Sequence, residues 1–162
     1  MSAFGNPPPM LARTHADLHN IRLGIGKLRT VSDRLVGVGP VGIGLDGVLS
    51  FVPVVGVVYS AVAAGLLMLE AVRARASSQT LIHMGALLFV DTLLDVPGAT
   101  PFGILSGVAD TFFTGHKWSA NLLLKNMDDT LYVEGGRNAP ANAGLIADIR
   151  SGKERRRVVF LG

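Results

Sequence analysis

The sequence predicts an all-α fold: a small helical membrane protein with two broken or kinked apolar spans, built as an internal repeat and preceded by an amphipathic helix. Three observations lead there. Charged residues are only 17% of the chain, against about 25% in ordinary soluble domains. Mean hydropathy is +0.43. The apolar residues are also gathered centrally, so that from Leu35 to Leu69 the one charged residue is Asp46. A length of 162 residues suits one domain. Its parts are a flexible Pro-rich arm at 1–13, a helical membrane domain at 14–125 and a polar, basic C-terminal tail at 126–162.

The arm carries Pro7-Pro8-Pro9 and no apolar run of signal-peptide type. From Thr14, a suitable N-cap, Leu18, Ile21, Ile25, Leu28 and Leu35 recur at three- and four-residue spacing, with Ser32 filling the gap before Leu35, which marks one face of a helix. Arg22, Lys27, Arg29 and Arg34 lie largely off that face. Two placements fit this pattern: an interfacial helix with its cations at lipid headgroups, or a helix packed on the protein's own core.

The first apolar stretch follows. Gly47 to Leu69 holds no charge, and about 20 apolar residues suffice to cross roughly 30 Å of hydrocarbon. Asp46 is expected to cap its start, and Pro53 to kink it, because proline removes a backbone donor and clashes one turn back. Ser77 to Thr80 reads as a turn. The second stretch, Leu81 to Ala109, is interrupted by Asp91, Asp95, Pro97 and Pro101, and two prolines that close together divide it into halves. Beyond Asp110 the chain is amphipathic through Leu124, with Lys117 and Trp118 suited to a membrane interface. In the tail, 143–150 is a short helical candidate ahead of the basic end KERRRVVFLG.

Two segments share a pattern. Leu45-Asp46 is followed by Val52-Pro53-Val54-Val55-Gly56, and Val90-Asp91 by Val96-Pro97-Gly98. With Gly44, Met84 and Asp110, these residues resemble the bacterial family known as domain of unknown function 4112, over roughly Leu28 to Leu124. The chain departs from the family pattern at Val57, where an Asp is usual, and in the competition between Pro97 and Pro101 for one place. The resemblance implies an architecture and no activity.

Asp46, Asp91, Asp95 and Asp110 are the candidate polar motif. Carboxylates in apolar surroundings need partners. Three roles stand open: capping half-helices, carrying protons or a cation, or lying solvated at an interface. Small residues offer packing faces at Gly56, Ser60 and Ala64 on one stretch and Gly103 and Gly107 on the other.

No catalytic, cofactor-binding or metal-binding constellation is expected. The four histidines lack ligand spacing and read as surface residues, phosphate-loop and nucleophile-elbow patterns are absent, and the chain has no cysteine. Net charge is +3, but the cations flank apolar segments, which favours anionic lipid over nucleic acid. The distribution of Lys and Arg (five before the first stretch, two between and eight after) places both termini in the cytoplasm. The functional expectation is a non-catalytic accessory or scaffold subunit of a bacterial inner-membrane assembly. Its partners would be lipids and either other subunits or a second copy. The alternative is an ion or proton pathway through the Asp residues.

Overall fold

The computed structural model describes the backbone at residues 10–36, 53–95 and 108–162, and side chains at 10–30, 61–91 and 115–162. Four helices form the body: α1 (His15–Val36), α2 (Pro53–Arg73), α3 (Ser78–Asp95) and α4 (Val108–Asp128). A strand β1 (Thr130–Glu134), a 3-10 turn (Pro140–Asn142), a helix α5 (Ala143–Arg150) and a strand β2 (Arg157–Leu161) complete the chain. The strands pair in parallel with Tyr132 opposite Val159. A parallel pair needs a crossover, and the 3-10 turn with α5 supplies it.

The expected spans are not what the apolar stretches form. Among the described residues, no helix is long and apolar enough to cross a membrane. The stretches are divided into helices that turn back on each other at 74–77 and build a bundle. Leu67 and Ala71 of α2 and Met84 and Leu88 of α3 are buried in one core with Ile21 and Ile25 of α1 and Leu123 and Met127 of α4. The class is also corrected from all-α, because the two strands place Tyr132, Val159 and Leu161 in the same core.

Three helix starts have a local cause. Thr14 Oγ1 accepts from the Asp17 amide at 3.1 Å, and Asp17 Oδ2 accepts from the Thr14 amide at 3.0 Å, a reciprocal cap of two otherwise orphaned donors. The Arg13 amide, reinforced by Thr14, holds the Asp17 carboxyl below its ordinary range. Leu18, Ile21 and Ile25 then face inward, so α1 packs on the protein's own core. Pro53 does not kink a span: it is the first residue of α2. Proline is well suited to that position, because its missing N–H would have no partner there. Ser77 Oγ accepts from the Thr80 amide at 3.1 Å, so the expected turn is the capped start of α3. The expected division at Pro97 and Pro101 lies outside the described residues, between α3 and α4.

The corner joining α2 to α3 is bound to the strands. The amide of Ala76 donates to Ala71 O and that of Arg75 to Val72 O, both at 2.9 Å, which closes α2 in the manner that normally uses glycine. Here the left-handed position is Arg75, with φ 52°. Its guanidinium explains the exception: Nη1 donates to Phe160 O at 2.8 Å, while Arg157 Nη2 donates to Arg75 O at 2.7 Å. Tyr132 Oη donates to Ala74 O at 2.8 Å beside them.

Two outcomes follow from this corner. Arg75→Gly and Arg75→Ala both lose the bond to Phe160, but only glycine is relieved of the left-handed backbone cost, so the glycine variant should be about 1 kcal/mol the more stable in urea unfolding. Equal stabilities would count against strain at Arg75. Burial raises the Tyr132 phenol above its ordinary value of 10.0. The fold therefore favours the neutral phenol, and its contribution is intact below pH 10 and declines as pH rises through the unfolded and then the folded value. Unfolding measured from pH 8 to 11 should show this decline in the native chain, and Tyr132→Phe should flatten it.

Candidate functional site

Helices α3 and α4 approach each other closely at Asp91 and Gly115. A Cβ placed on Gly115 would lie 2.5 Å from Asp91 Cγ, so the carboxylate occupies the space that a side chain at 115 would need. Asp91 Oδ2 lies 3.0 Å from His116 Nδ1, and both side chains are buried. The contact is an ion-pair distance without hydrogen-bond alignment, and Ser119 Oγ, one turn further along α4, is buried with no hydrogen-bond partner. Burial corrects the surface assignment of His116; His15, His19 and His83 are exposed. Among the described residues, no group of three His, Cys, Asp or Glu could hold a metal ion.

Asp91 sits within α3, well away from a helix start, so it does not cap one. Asp110 falls in the first turn of α4 and Asp95 is the last residue of α3, but their side chains are outside the described set. Asp46, Pro97, Pro101, Gly103 and Gly107 lie outside the described residues altogether. Gly56 and Ser60 are within α2, and Ala64 is packed against the core.

The outer side of the α2–α3 hairpin is a second feature. In α2, the exposed residues from 61 to 73 are Ala61, Val62, Gly65, Leu66, Leu69 and Val72, all of them apolar. On α3, Ile82 (69% exposed), Ala86, Phe89 (65% exposed) and Val90 are exposed too, with His83 among them. A helix on a protein core ordinarily turns a polar face outward, and contiguous apolar surface marks a contact.

Arg29 of α1 and Lys117 of α4 border one cavity where these helices pass the middle of α2, and Trp118 is 62% exposed. Lys27 lines a shallow groove with Leu66 of the apolar face and with Glu70. Arg22, nearer the strands, is paired with Asp128 at 2.6 Å. Near that sheet-bearing end also lie Asp17, Asp129 and Glu134, with Glu134 Oε1 accepting from the His15 amide at 2.9 Å. Arg34 is in α1, its side chain outside the described set.

Sequence reasoning identified Asp91, Lys117 and Trp118 but missed the Asp91–His116 pair. The two residues are 25 positions apart and belong to different helices. The signal that could have found them is the Gly115-His116 dipeptide in an otherwise regular helix, since a glycine there costs about 1 kcal/mol unless something approaches it closely.

The family described as Domain of unknown function (DUF4112) has a sequence model that matches residues 24–127. That is more than half of the chain, and the protein belongs to this family. No curated protein and no solved structure shows significant similarity to it.

The crowding at Gly115 has a measurable signature. Gly115→Ala should cost about 1–3 kcal/mol by overpacking and markedly less in an Asp91→Ala background, where the obstructing carboxylate is gone. A double-mutant cycle by chemical denaturation reads the difference. Additive effects would place the crowding elsewhere.

Proposed function

We propose that this family member is a non-catalytic accessory or scaffold subunit that sits on the inner face of the bacterial cytoplasmic membrane without crossing it. The outer faces of α2 and α3 form the contact. The observation that carries this reading is the uninterrupted apolar surface from Ala61 to Val72, continued by Ile82, Phe89 and Val90. A second copy of the chain would also bury such a face. Charge is our ground for preferring lipid: Lys27 adjoins Leu66, in a groove it shares with Glu70, Arg29 and Lys117 border a second cavity between α1, α2 and α4, and Trp118 is exposed. Cations beside an apolar surface suit anionic headgroups, each contributing about 1 kcal/mol near the membrane, and Trp suits the headgroup level.

Seated this way, the strand unit and the two termini remain on the cytoplasmic side, available to other subunits of an assembly.

Vesicle sedimentation tests it. The chain should bind vesicles containing phosphatidylglycerol more than pure phosphatidylcholine vesicles. Leu66→Ser with Phe89→Ser should lower that partitioning about tenfold or more, since each side chain forfeits part of the roughly 1.5–3 kcal/mol of full burial. Both sites are exposed, so thermal stability should stay close to the native value. If the native chain ignores vesicles and instead forms a dimer that the same substitutions dissociate, the face binds a second copy and the membrane reading fails.

A further inference from the structure

We infer that the outer edge of β2 is a docking site for an extended acidic segment of a partner protein, which adds there as a third strand. Both strands lie after residues 24–127, the part that the family model matches. Successive residues of a strand direct their backbone groups alternately to its two sides. The Gly135 amide donates to Leu161 O at 2.9 Å, so the backbone groups of Leu161 turn toward β1. Those of Phe160 and Val158 therefore turn away from it. Phe160 O is consistent with this, since it accepts from Arg75 Nη1 at 2.8 Å and not from β1.

Three outward groups remain: the Val158 N–H and C=O, and the Phe160 N–H. Among the described residues, none bonds to them. Sheet edges are ordinarily blunted by proline, a bulge, a covering element or inward-pointing charge. β2 contains no proline, and after Arg157 it runs Val158-Val159-Phe160-Leu161 in unbroken register with β1. The edge of β1 is engaged by its own chain. There Glu134 O accepts from Asn142 Nδ2 at 3.4 Å, and Glu134 Oε1 from the His15 amide at 2.9 Å.

Charge selects the partner. Arg155 and Arg157 are exposed at the entry to β2. The neighbouring carboxylate, Glu154, is engaged by Arg156, whose Nη2 donates to Oε2 at 2.8 Å and whose Nε donates to Oε1 at 3.0 Å. That leaves an excess of positive charge beside the open edge. Arg157 also donates to Arg75 O, which leaves its guanidinium charged. An added strand sets its side chains beside those of β2. Carboxylates suit the places next to Arg155 and Arg157, and β-branched residues those next to Val158 and Phe160. A second copy of β2 would bring arginines to that edge in place of carboxylates.

This inference names the kind of partner for the scaffold role proposed above, and it does not depend on the membrane contact. Fluorescence anisotropy of the full chain with the labelled peptide Glu-Glu-Val-Thr-Val-Thr-Val-Glu-Glu tests it. The peptide should bind, and the same core flanked by Lys should bind about tenfold more weakly. Arg155→Glu, at an exposed site, should reverse that preference without moving the thermal melt. Val158→Pro removes an outward donor but no bond to β1, and should weaken binding. N-methylation of two adjacent core amides, which blocks both edges of the peptide, should abolish binding without altering the protein.

Failure of the Glu-flanked peptide to bind at millimolar concentration overturns the proposal, as does equal binding of the Lys-flanked or the N-methylated peptide. A self-associated chain that Val158→Pro dissociates overturns it too, because the edge then belongs to a second copy. Leu66→Ser with Phe89→Ser should lower vesicle sedimentation and leave peptide binding unaltered, so the membrane contact and the strand site fail separately.

Discussion

Between α3 and α4 the carboxylate of Asp91 fills the volume that a side chain at position 115 would occupy, and it faces the imidazole of His116 at 3.0 Å. Removing a carboxylate from water costs several kcal/mol unless a partner compensates. The partner is available only where the helices have one axial register, with Asp91 beside the turn that carries Gly115 and His116. A slide by one turn toward the C-terminal end of α4 would set Asp91 level with Ser119 and leave the charge buried without its imidazole. The pair therefore specifies how α3 and α4 align more than it adds to stability. That alignment brings Met84 and Leu88 into one core with Ala120, Leu123 and Met127.

The other end of the same helices is fixed by different chemistry. Ser77 caps α3, and Asn126 of α4 reaches it twice, with Oδ1 accepting from the Ser77 amide at 3.3 Å and Nδ2 donating to Ser77 Oγ at 3.4 Å. Arg75 and Tyr132 tie the adjacent corner to the strands. The α3–α4 unit is thus held at two levels, by the buried Asp91–His116 contact and by a polar corner. The strand unit is part of the corner. Asn142 in turn donates to Gly136 O at 3.0 Å, which anchors the crossover to the end of β1. A two-stranded sheet is marginal by itself, and here the helical body supplies what it lacks.

How much of this was legible depended on the range of the interaction. The inward face of α1 could be read from Leu18, Ile21 and Ile25 because helical periodicity is local. The helix at 143–150 was equally local. The strands were missed because Thr130–Glu134 and Arg157–Leu161 are short and their pairing spans 27 residues, and the second lies in a segment dominated by KERRR. Pro53 was misjudged because a proline within an apolar run signals either a kink or a helix start, and only the backbone tells which. Asp91 could be singled out as a carboxylate in apolar surroundings. Its partner could not, since nothing in the sequence places position 91 beside 116.

The misreading of the spans has a physical basis that also bears on function. Hydropathy sums residues without regard to the side of the helix they occupy. In α2, Leu67 and Ala71 are buried while Leu66, Leu69 and Val72 face outward, so a single apolar run serves two surfaces. A soluble bundle of this size would ordinarily place charges at those outward positions. The described part of α2 is thus apolar on its outward positions as well as its inward ones, and a hydropathy sum cannot separate a helix with two such surfaces from a span.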